Sequence, residues 1–211
     1  MLIDLHTHHS GSADLAIFNA FDRKTELICS YGIHPWYAEQ FSFDFLEKLE
    51  CLIQQPNCWA VGECGLDKLA RSDWSKQMRW LEIQIGLSES YRKPLIIHCV
   101  KAIQELIVLK RKIDPAQIWI FHGFRKINMA KQLLEEGFYL SIGTALLTDE
   151  RLQESIKDFP LERLFLETDD KEMNICSLYE RLAVIKKIPV EHVEEQLINN
   201  FEKVFDRKLL P

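Results

Sequence analysis

The chain has 211 residues, of which 47% are hydrophobic and 27% charged, and these values are typical of a globular protein. Its 26 Lys and Arg against 32 Asp and Glu give a formal net charge of −6, which argues against a general nucleic-acid-binding surface, because such surfaces are usually basic. No run approaches the roughly 20 apolar residues that cross a bilayer, so membrane-spanning, disordered, collagen-like and coiled-coil classes are excluded.

Short apolar runs alternate with amphipathic segments along the chain. The runs suit strands buried on both faces, and they cover 2–5, 27–33, 59–61, 95–97, 118–121, 138–142 and 164–166. Apolar residues at helical spacing predict helices within 41–53, 78–91, 130–134 and 193–205. The alternation predicts a parallel sheet with helices outside it. Because no linker or repeat interrupts it, we expect a single domain over 1–211.

The N-terminal part departs from this alternation. Only 18 residues separate His8 from Leu27, fewer than the roughly 30 that a βαβ unit needs. We therefore expect a β-hairpin at 15–33 in place of one βα repeat, near the N-terminus. The predicted fold class is α/β, a compact and irregular TIM-type (β/α) barrel whose functional residues lie at the C-terminal ends of the strands.

The six cysteines are scattered along the chain without a CxxC pair, and no export signal is visible. They are predicted to be reduced and mostly buried thiols in a cytoplasmic protein. Cys64 and Cys99 each flank a candidate metal ligand, but strand alternation turns them away from it, so we interpret both as packing residues.

Histidines and carboxylates stand at the ends of the predicted strands. His6 and His8 alternate in the first strand, so their side chains share one face about 7 Å apart and could both bind a metal. Later strands end in residues of the same type, namely Glu63, His98, His122 and Asp169. One such histidine is usually a core residue, but ligand-type residues at five strand ends in series indicate a site. Four histidines and two carboxylates suit two divalent ions with nitrogen and oxygen ligands.

A family resemblance rests on six stretches in this order: DLHTHH, GIHPW, VGECGLD, PLIIHCVKA, IFHGF and LFLETD. Together they resemble the TatD-type metal-dependent hydrolases, a branch of the amidohydrolase-like barrels. The resemblance spans Asp4 to Asp169, and residues 200–205 resemble the last helix of that family. It implies a TIM-barrel enzyme with two divalent ions, and several members of the family are deoxyribonucleases or 3′–5′ exonucleases.

Carried over position by position, the resemblance implies a role for each strand-end residue. One ion would be held by His6, His8, Glu63 and Asp169, and a second by Glu63, His98 and His122, with Glu63 bridging. His34 would help to hold the substrate phosphate, and Asp169 would orient the attacking water and accept its proton. The expected catalytic residues are therefore Asp169, Glu63 and His34. The ions could be Zn, Mg, Mn or Co, since two such ions can clamp a phosphodiester and activate a water between them.

Four departures from the family pattern alter the expected substrate contacts. In Cys99-Val100-Lys101 the usual cation moves one position along, and Arg125-Lys126 replaces a small polar loop. Asp170-Lys171 stands where the family usually has Ala-Pro, and the segment 9–33 is about half its usual length. Lys101, Arg125 and Lys126 could form a phosphate clamp at the barrel mouth. The aromatic residues that could line the mouth and stack on a base are Trp36, Tyr37 and Trp74.

The leading hypothesis is a two-metal hydrolase of phosphoric esters, acting on a small phosphate ester or a nucleic-acid end, with no membrane contact and no extensive nucleic-acid surface. A PHP-type phosphoesterase is an alternative, because DLHTHHSGSAD resembles the opening motif of that family, although the GLD and ETD stretches favour the TatD type. A C–N bond hydrolase on a similar barrel is a second alternative. A non-catalytic metal-binding barrel is a third, and it predicts that His98→Ala leaves cellular function intact.

Overall fold

The computed structural model describes residues 1–21 and 23–209. Its contacts distinguish two units, a first unit of residues 1–18 with the described residues from 122 onward, and a second unit of residues 19–121. Its strands are β1 Ile3–Thr7, β2 Leu15–Phe21, β3 Cys29–Tyr31, β4 Cys58–Asp67, β5 Leu95–Val100, β6 Trp119–Phe121, β7 Tyr139–Ile142 and β8 Leu164–Leu166. Its α-helices are α1 Leu46–Ile53, α2 Trp74–Tyr91, α3 Ile103–Ile113, α4 Ala130–Glu135, α5 Ala145–Thr148, α6 Glu150–Ile156, α7 Cys176–Lys186 and α8 Val190–Phe205. The expected single domain over 1–211 stays a prediction.

The strands follow one another across the sheet in chain order from β1 to β8. Parallel pairing joins β1 to β2, β3 to β4, β4 to β5, β5 to β6 and β7 to β8. In the first unit, Thr7 also forms a parallel bridge with Asp169, so the end of β1 pairs with the residues that follow β8. The predicted α/β barrel of parallel strands is therefore confirmed.

The β-hairpin predicted at 15–33 is wrong in its strand direction. Both strands are present without a helix between them, so a complete βα repeat is indeed missing here. However, β2 runs parallel to β1, with Ile3 opposite Leu15, and the eight strands of the barrel are all parallel. The physical reason is the segment 8–14, which returns the chain to the start of β1, where the Leu15 N–H donates to the Leu2 carbonyl at 3.1 Å. Seven extended residues reach about 23 Å, more than the roughly 17 Å length of a five-residue strand.

Burial of the strands on both faces agrees with the interpretation of their apolar sequences. Every residue of β1, β3, β6, β7 and β8 is buried. In the first unit, two helices also bind strand backbone through side chains. The Tyr179 hydroxyl in α7 accepts the Ile3 N–H at 2.9 Å and donates to the Ile3 carbonyl at 3.0 Å. The Asn200 amide in α8 donates to the Leu161 and Leu164 carbonyls at 2.8 Å each.

All six cysteines are free thiols, and four of them are buried, namely Cys29, Cys58, Cys64 and Cys99. Cys51 and Cys176 are exposed. This distribution agrees with the prediction of mostly buried thiols, and it places Cys64 and Cys99 in the packed interior as expected. Among the described helices, none has both the length and the apolar character needed to cross a bilayer.

Candidate metal centre

In the first unit, β1 and the chain after β8 bring together His6, His8 and Asp169, the first group. His6 is fully buried within β1, His8 lies exposed just past the end of that strand, and Asp169 is half-buried. The His6 and His8 Nε2 atoms lie 3.6 and 3.5 Å from the Asp169 Oδ1 atom. One donor atom of each residue lies within 4.8 Å of the others. Two imidazole nitrogens and a carboxylate oxygen at this spacing fit one divalent ion of borderline character.

Backbone pairing holds the first group in place. The His8 N–H donates to the Asp169 carbonyl and the Asp169 N–H donates to the His6 carbonyl, both at 2.9 Å. Asp169 has a φ of 53°, in the left-handed region that aspartate tolerates better than most residues. These two hydrogen bonds tie the three residues to one backbone ladder, so their relative positions depend on the pairing of β1 with the residues after β8.

Asp4, for which the sequence suggested no role, is a fully buried carboxylate in the same strand. It accepts hydrogen bonds from the Thr168 N–H at 3.1 Å and the Thr168 hydroxyl at 2.6 Å, immediately before Asp169. Burial raises the pKa of Asp4, and the hydrogen bonds from Thr168 counteract that rise in part. Asp4 therefore fastens the segment that carries Asp169 to β1.

His122 follows β6 and is also buried in the first unit, with its ring centroid 4.6 Å from that of His6. Its Nδ1 lies 3.3 Å from the Oε1 atom of Glu167, which also accepts the Gly123 N–H at 2.6 Å. Glu167 is fully buried, and its Oε2 atom has no hydrogen-bond partner among the residues that the structure describes. Glu167 was not among the residues predicted from the sequence, although it directly follows the apolar run at 164–166 that marks this strand end.

In the second unit, three further residues form the second group, namely His34, Glu63 and His98. Glu63 lies in β4 and His98 in β5, while His34 precedes a 3₁₀ turn at Pro35–Tyr37. The Glu63 Oε1 atom is 3.2 Å from the His34 Nε2 and 3.1 Å from the His98 Nδ1. One donor atom of each residue again lies within 4.8 Å of the others. The structure thus brings together the predicted ligands Glu63 and His98, with the predicted phosphate-binding His34 beside them.

Asp67 is a second functional residue that the sequence analysis missed. It lies four residues after Glu63 in β4, so both side chains point to the same face of the strand. Its Oδ2 atom accepts the Trp36 indole N–H at 2.6 Å and lies 3.2 Å from the His98 Nε2. Burial acts to raise the pKa of Asp67, but hydrogen bonds from Trp36, the Leu69 N–H and His98 outweigh it and lower that pKa. Strand alternation beyond the first carboxylate was the signal that could have identified Asp67.

The predicted clamp residues Lys101, Arg125 and Lys126 are all exposed. In the first unit, Arg125 and Lys126 line a surface pocket of about 410 Å³ together with Asp149 and Arg151. The Arg125 guanidinium lies 4.0 Å from the Asp149 carboxylate. The predicted aromatic lining residues are all accessible to some degree, and Trp36 is the most exposed at 57%. The clamp itself stays a prediction.

Comparison with known proteins places these groups in context. Residues 3–206 match the family model described as TatD related DNase. An uncharacterized metal-dependent hydrolase of Haemophilus influenzae is 24% identical over 197 residues, which cover 82% of this chain and 75% of that protein. The 3′-5′ ssDNA/RNA exonuclease TatD of Edwardsiella piscicida is 35% identical over 148 residues, covering 65% and 55%. The crystal structure of the Escherichia coli TatD homologue YjjV shows the same fold, with a TM-score of 0.85, 21% identity and 98% coverage of both chains.

Proposed function

Because the chain belongs to the TatD-related DNase family and is a metal-dependent hydrolase of that family, we propose that it hydrolyses phosphodiesters, at the end of a single-stranded nucleic acid or in a small phosphate ester. The observation that carries this proposal is the convergence of ligand-type side chains into the first and second groups. The name of the Edwardsiella relative, a 3′-5′ ssDNA/RNA exonuclease, supports a nucleic-acid end as substrate. A cytoplasmic location stays a prediction.

The first group, and the second group without His34, are the proposed metal sites. His6, His8 and Asp169 would hold one divalent ion, and Glu63 with His98 would hold a second, chosen from Zn, Mg, Mn or Co. The ligand role of His122 and the bridging role of Glu63, which the family resemblance implies, are part of the proposal. Bound divalent ions would supply Lewis-acid stabilisation of the phosphoryl oxygens and make water nucleophilic near neutral pH.

Two residues are proposed to act on the substrate and the water. Asp169 would accept the proton of the attacking water, because its carboxylate is the half-buried member of the first group and retains access to solvent. The His34 Nδ1 accepts the Trp36 backbone N–H at 3.1 Å, so the neutral ring carries its proton on Nε2. His34 is therefore suited to donate a hydrogen bond from Nε2 to a phosphate oxygen, rather than to bind a metal.

The test uses metal-free protein reloaded separately with Mg, Mn, Zn or Co. Its substrates are a generic phosphodiester, a phosphomonoester, single-stranded DNA labelled at either end, and an N-acyl amide. We expect cleavage of the phosphodiester and stepwise loss of nucleotides from the DNA 3′ end, and Glu63→Ala should abolish both. Glu82→Ala, on the exposed side of α2 in the same unit, is the matched control. Wild-type turnover by Glu63→Ala, or cleavage of the amide alone, would contradict the proposal.

The clamp is tested separately on the same phosphodiester. Neutralising Lys101 and Arg125 together should raise KM with little change in kcat, because these exposed cations would contact only the non-reacting part of the substrate. An unchanged KM would remove both residues from the proposed substrate-binding set.

A further inference from the structure

The hydrogen bonds around Asp67 anchor its carboxylate from two sides. Oδ2 accepts the Trp36 indole N–H at 2.6 Å, and Oδ1 accepts the Leu69 backbone N–H at 2.7 Å. Gln77 in α2 fixes the backbone of the same residue, accepting its N–H at 2.8 Å and donating to its carbonyl at 3.1 Å. Asp67 is only 2% exposed. Because both carboxylate oxygens and the peptide group of Asp67 are hydrogen-bonded, its side chain is held in a single orientation towards the next residue it contacts.

That residue is His98. The Asp67 Oδ2 atom lies 3.2 Å from the His98 Nε2, while the His98 Nδ1 lies 3.1 Å from the Glu63 Oε1. Both neighbours are carboxylates, which can only accept, so they do not by themselves decide which nitrogen of the neutral ring carries the proton. An ion held on the Glu63 side would need the lone pair of Nδ1, and the single ring proton would then lie on Nε2, where the anchored Asp67 carboxylate accepts it. The two nitrogens of one ring are thus assigned to two different tasks.

We propose that Asp67, with Trp36 behind it, is a positioning residue that makes Nδ1 of His98 the metal-binding nitrogen. This inference rests on the proposed function only in taking His98 as a metal ligand. A carboxylate behind a metal-binding histidine orients the ring and increases its basicity, and its loss typically costs 10- to 100-fold in metal affinity. Although Trp36 is exposed, its indole N–H donates to Asp67 and so helps to orient that carboxylate; the face of the ring takes no part in this contact.

The variant Asp67→Asn tests the proposal with minimal change of shape. The carboxylate has two acceptor oxygens for three donors, from Trp36, Leu69 and His98, whereas the amide offers one oxygen and one NH₂ group. With its oxygen on the fixed Leu69 N–H, the amide turns its NH₂ group towards His98. The ring must then accept at Nε2 and move its proton to Nδ1, the nitrogen proposed to bind the metal.

The first measurement is the tautomer of His98 in the Zn²⁺-loaded protein, by ¹⁵N NMR of histidine-labelled samples. The His98 signals are assigned by their loss in His98→Gln. We expect Nε2–H and a Zn²⁺-bound Nδ1 in the wild type and, at the same Zn²⁺ concentration, an increased Nδ1–H population in Asp67→Asn. An Nδ1–H tautomer in the wild type would overturn the proposal whether or not any variant folds, and it would do so independently of catalysis.

The second measurement is calorimetric titration with Zn²⁺ alone. We expect Asp67→Asn to weaken one Zn²⁺-binding phase by about 10- to 100-fold, and Trp36→Phe, which keeps the aromatic ring, to weaken it less. Asp73→Asn, at the N-cap of α2, and Trp74→Phe are matched controls that should bind as the wild type does. Wild-type Zn²⁺ affinity in a folded Asp67→Asn protein would refute the positioning role, whereas a wild type that binds no metal would instead refute the proposed function.

Discussion

Replacing Tyr179 by Phe removes a single oxygen atom from the interior of the first unit. That hydroxyl accepts the N–H and donates to the carbonyl of Ile3, at 2.9 and 3.0 Å, and all three groups are buried. The aromatic ring stays in place, so the substitution leaves almost no cavity. Its effect is therefore confined to two buried backbone groups at the start of β1, which lose the partner that replaced water.

The expected magnitude follows from those two groups. A buried donor or acceptor left without a partner costs about 1–3 kcal/mol, and two such losses are partly offset because the variant no longer buries the polar hydroxyl itself. Tyr179→Phe should therefore lower the free energy of unfolding by about 2–4 kcal/mol. With a urea m-value near 2 kcal/mol/M, as an order of magnitude for such a chain, the midpoint should fall by about 1–2 M. Equilibrium urea unfolding followed by tryptophan fluorescence measures this difference.

Tyr139→Phe is the matched control because it deletes the same atom from an equally buried ring. The Tyr139 hydroxyl in β7 has no hydrogen-bond partner among the described residues, so its loss should leave stability unchanged or increase it slightly. If both variants lose the same free energy, or if Tyr179→Phe loses less than about 0.5 kcal/mol, the reasoning from unsatisfied backbone groups is wrong.

Gly65→Ala should prevent folding, because a Cβ at residue 65 would lie 1.9 Å from the His98 carbonyl oxygen. Gly86→Ala, within α2, should instead stabilise the protein by up to about 1 kcal/mol, because nothing lies within 4 Å of the added Cβ and alanine favours the helix. Thermal unfolding and soluble yield measure both, and a stable Gly65→Ala protein would contradict the close approach of β4 to β5. Native protein should show two reactive thiols at pH 8, Cys51 and Cys176, and six after unfolding; more than two in the native state would contradict the described burial. Burial raises the pKa of the other four thiols, so their reactive thiolate should not appear until the pH is far more alkaline; these are Cys29, Cys58, Cys64 and Cys99. Burial and the neighbouring Glu180 carboxylate also raise the pKa of Cys176, so this exposed thiol should react more slowly than Cys51.

Features set by local sequence were the ones that sequence alone could predict. The apolar runs at 59–61 and 95–97 lie in β4 and β5, and the polar residues predicted just after them, Glu63 and His98, lie in those strands with the Glu63 Oε1 and the His98 Nδ1 3.1 Å apart. Such positions follow from hydrophobic periodicity and from the rule that parallel strands end at one edge. The same reasoning put Leu5 and Ile97 in the core, where both are fully buried.

Features set by distant contacts could not be predicted in the same way. The direction of β2 depends on the path of 8–14 and on the hydrogen bond from Leu15 to Leu2, which leave no periodic signal. Asp67 meets a histidine 31 residues away, and Glu167 meets one 45 residues away, so their partners are visible only after the strands are arranged. In the sequence, a carboxylate that contacts a histidine in the folded protein has no feature that distinguishes it from a carboxylate that faces solvent.

The hydrogen bond between Asp4 and Thr168 joins residues 164 positions apart, and this separation affects how the protein is made in the cell. Ribosomes add about 5–20 residues per second, so some 8–33 s pass between synthesis of the first strand and of its partner beyond β8. During that interval β1 can pair with β2 along one edge. The residues that pair with its other edge, and the Asp169 carboxylate that completes the first group, have not yet been synthesised. A growing chain therefore cannot offer the complete first group to a metal until Asp169 has been added, 161 residues after His8.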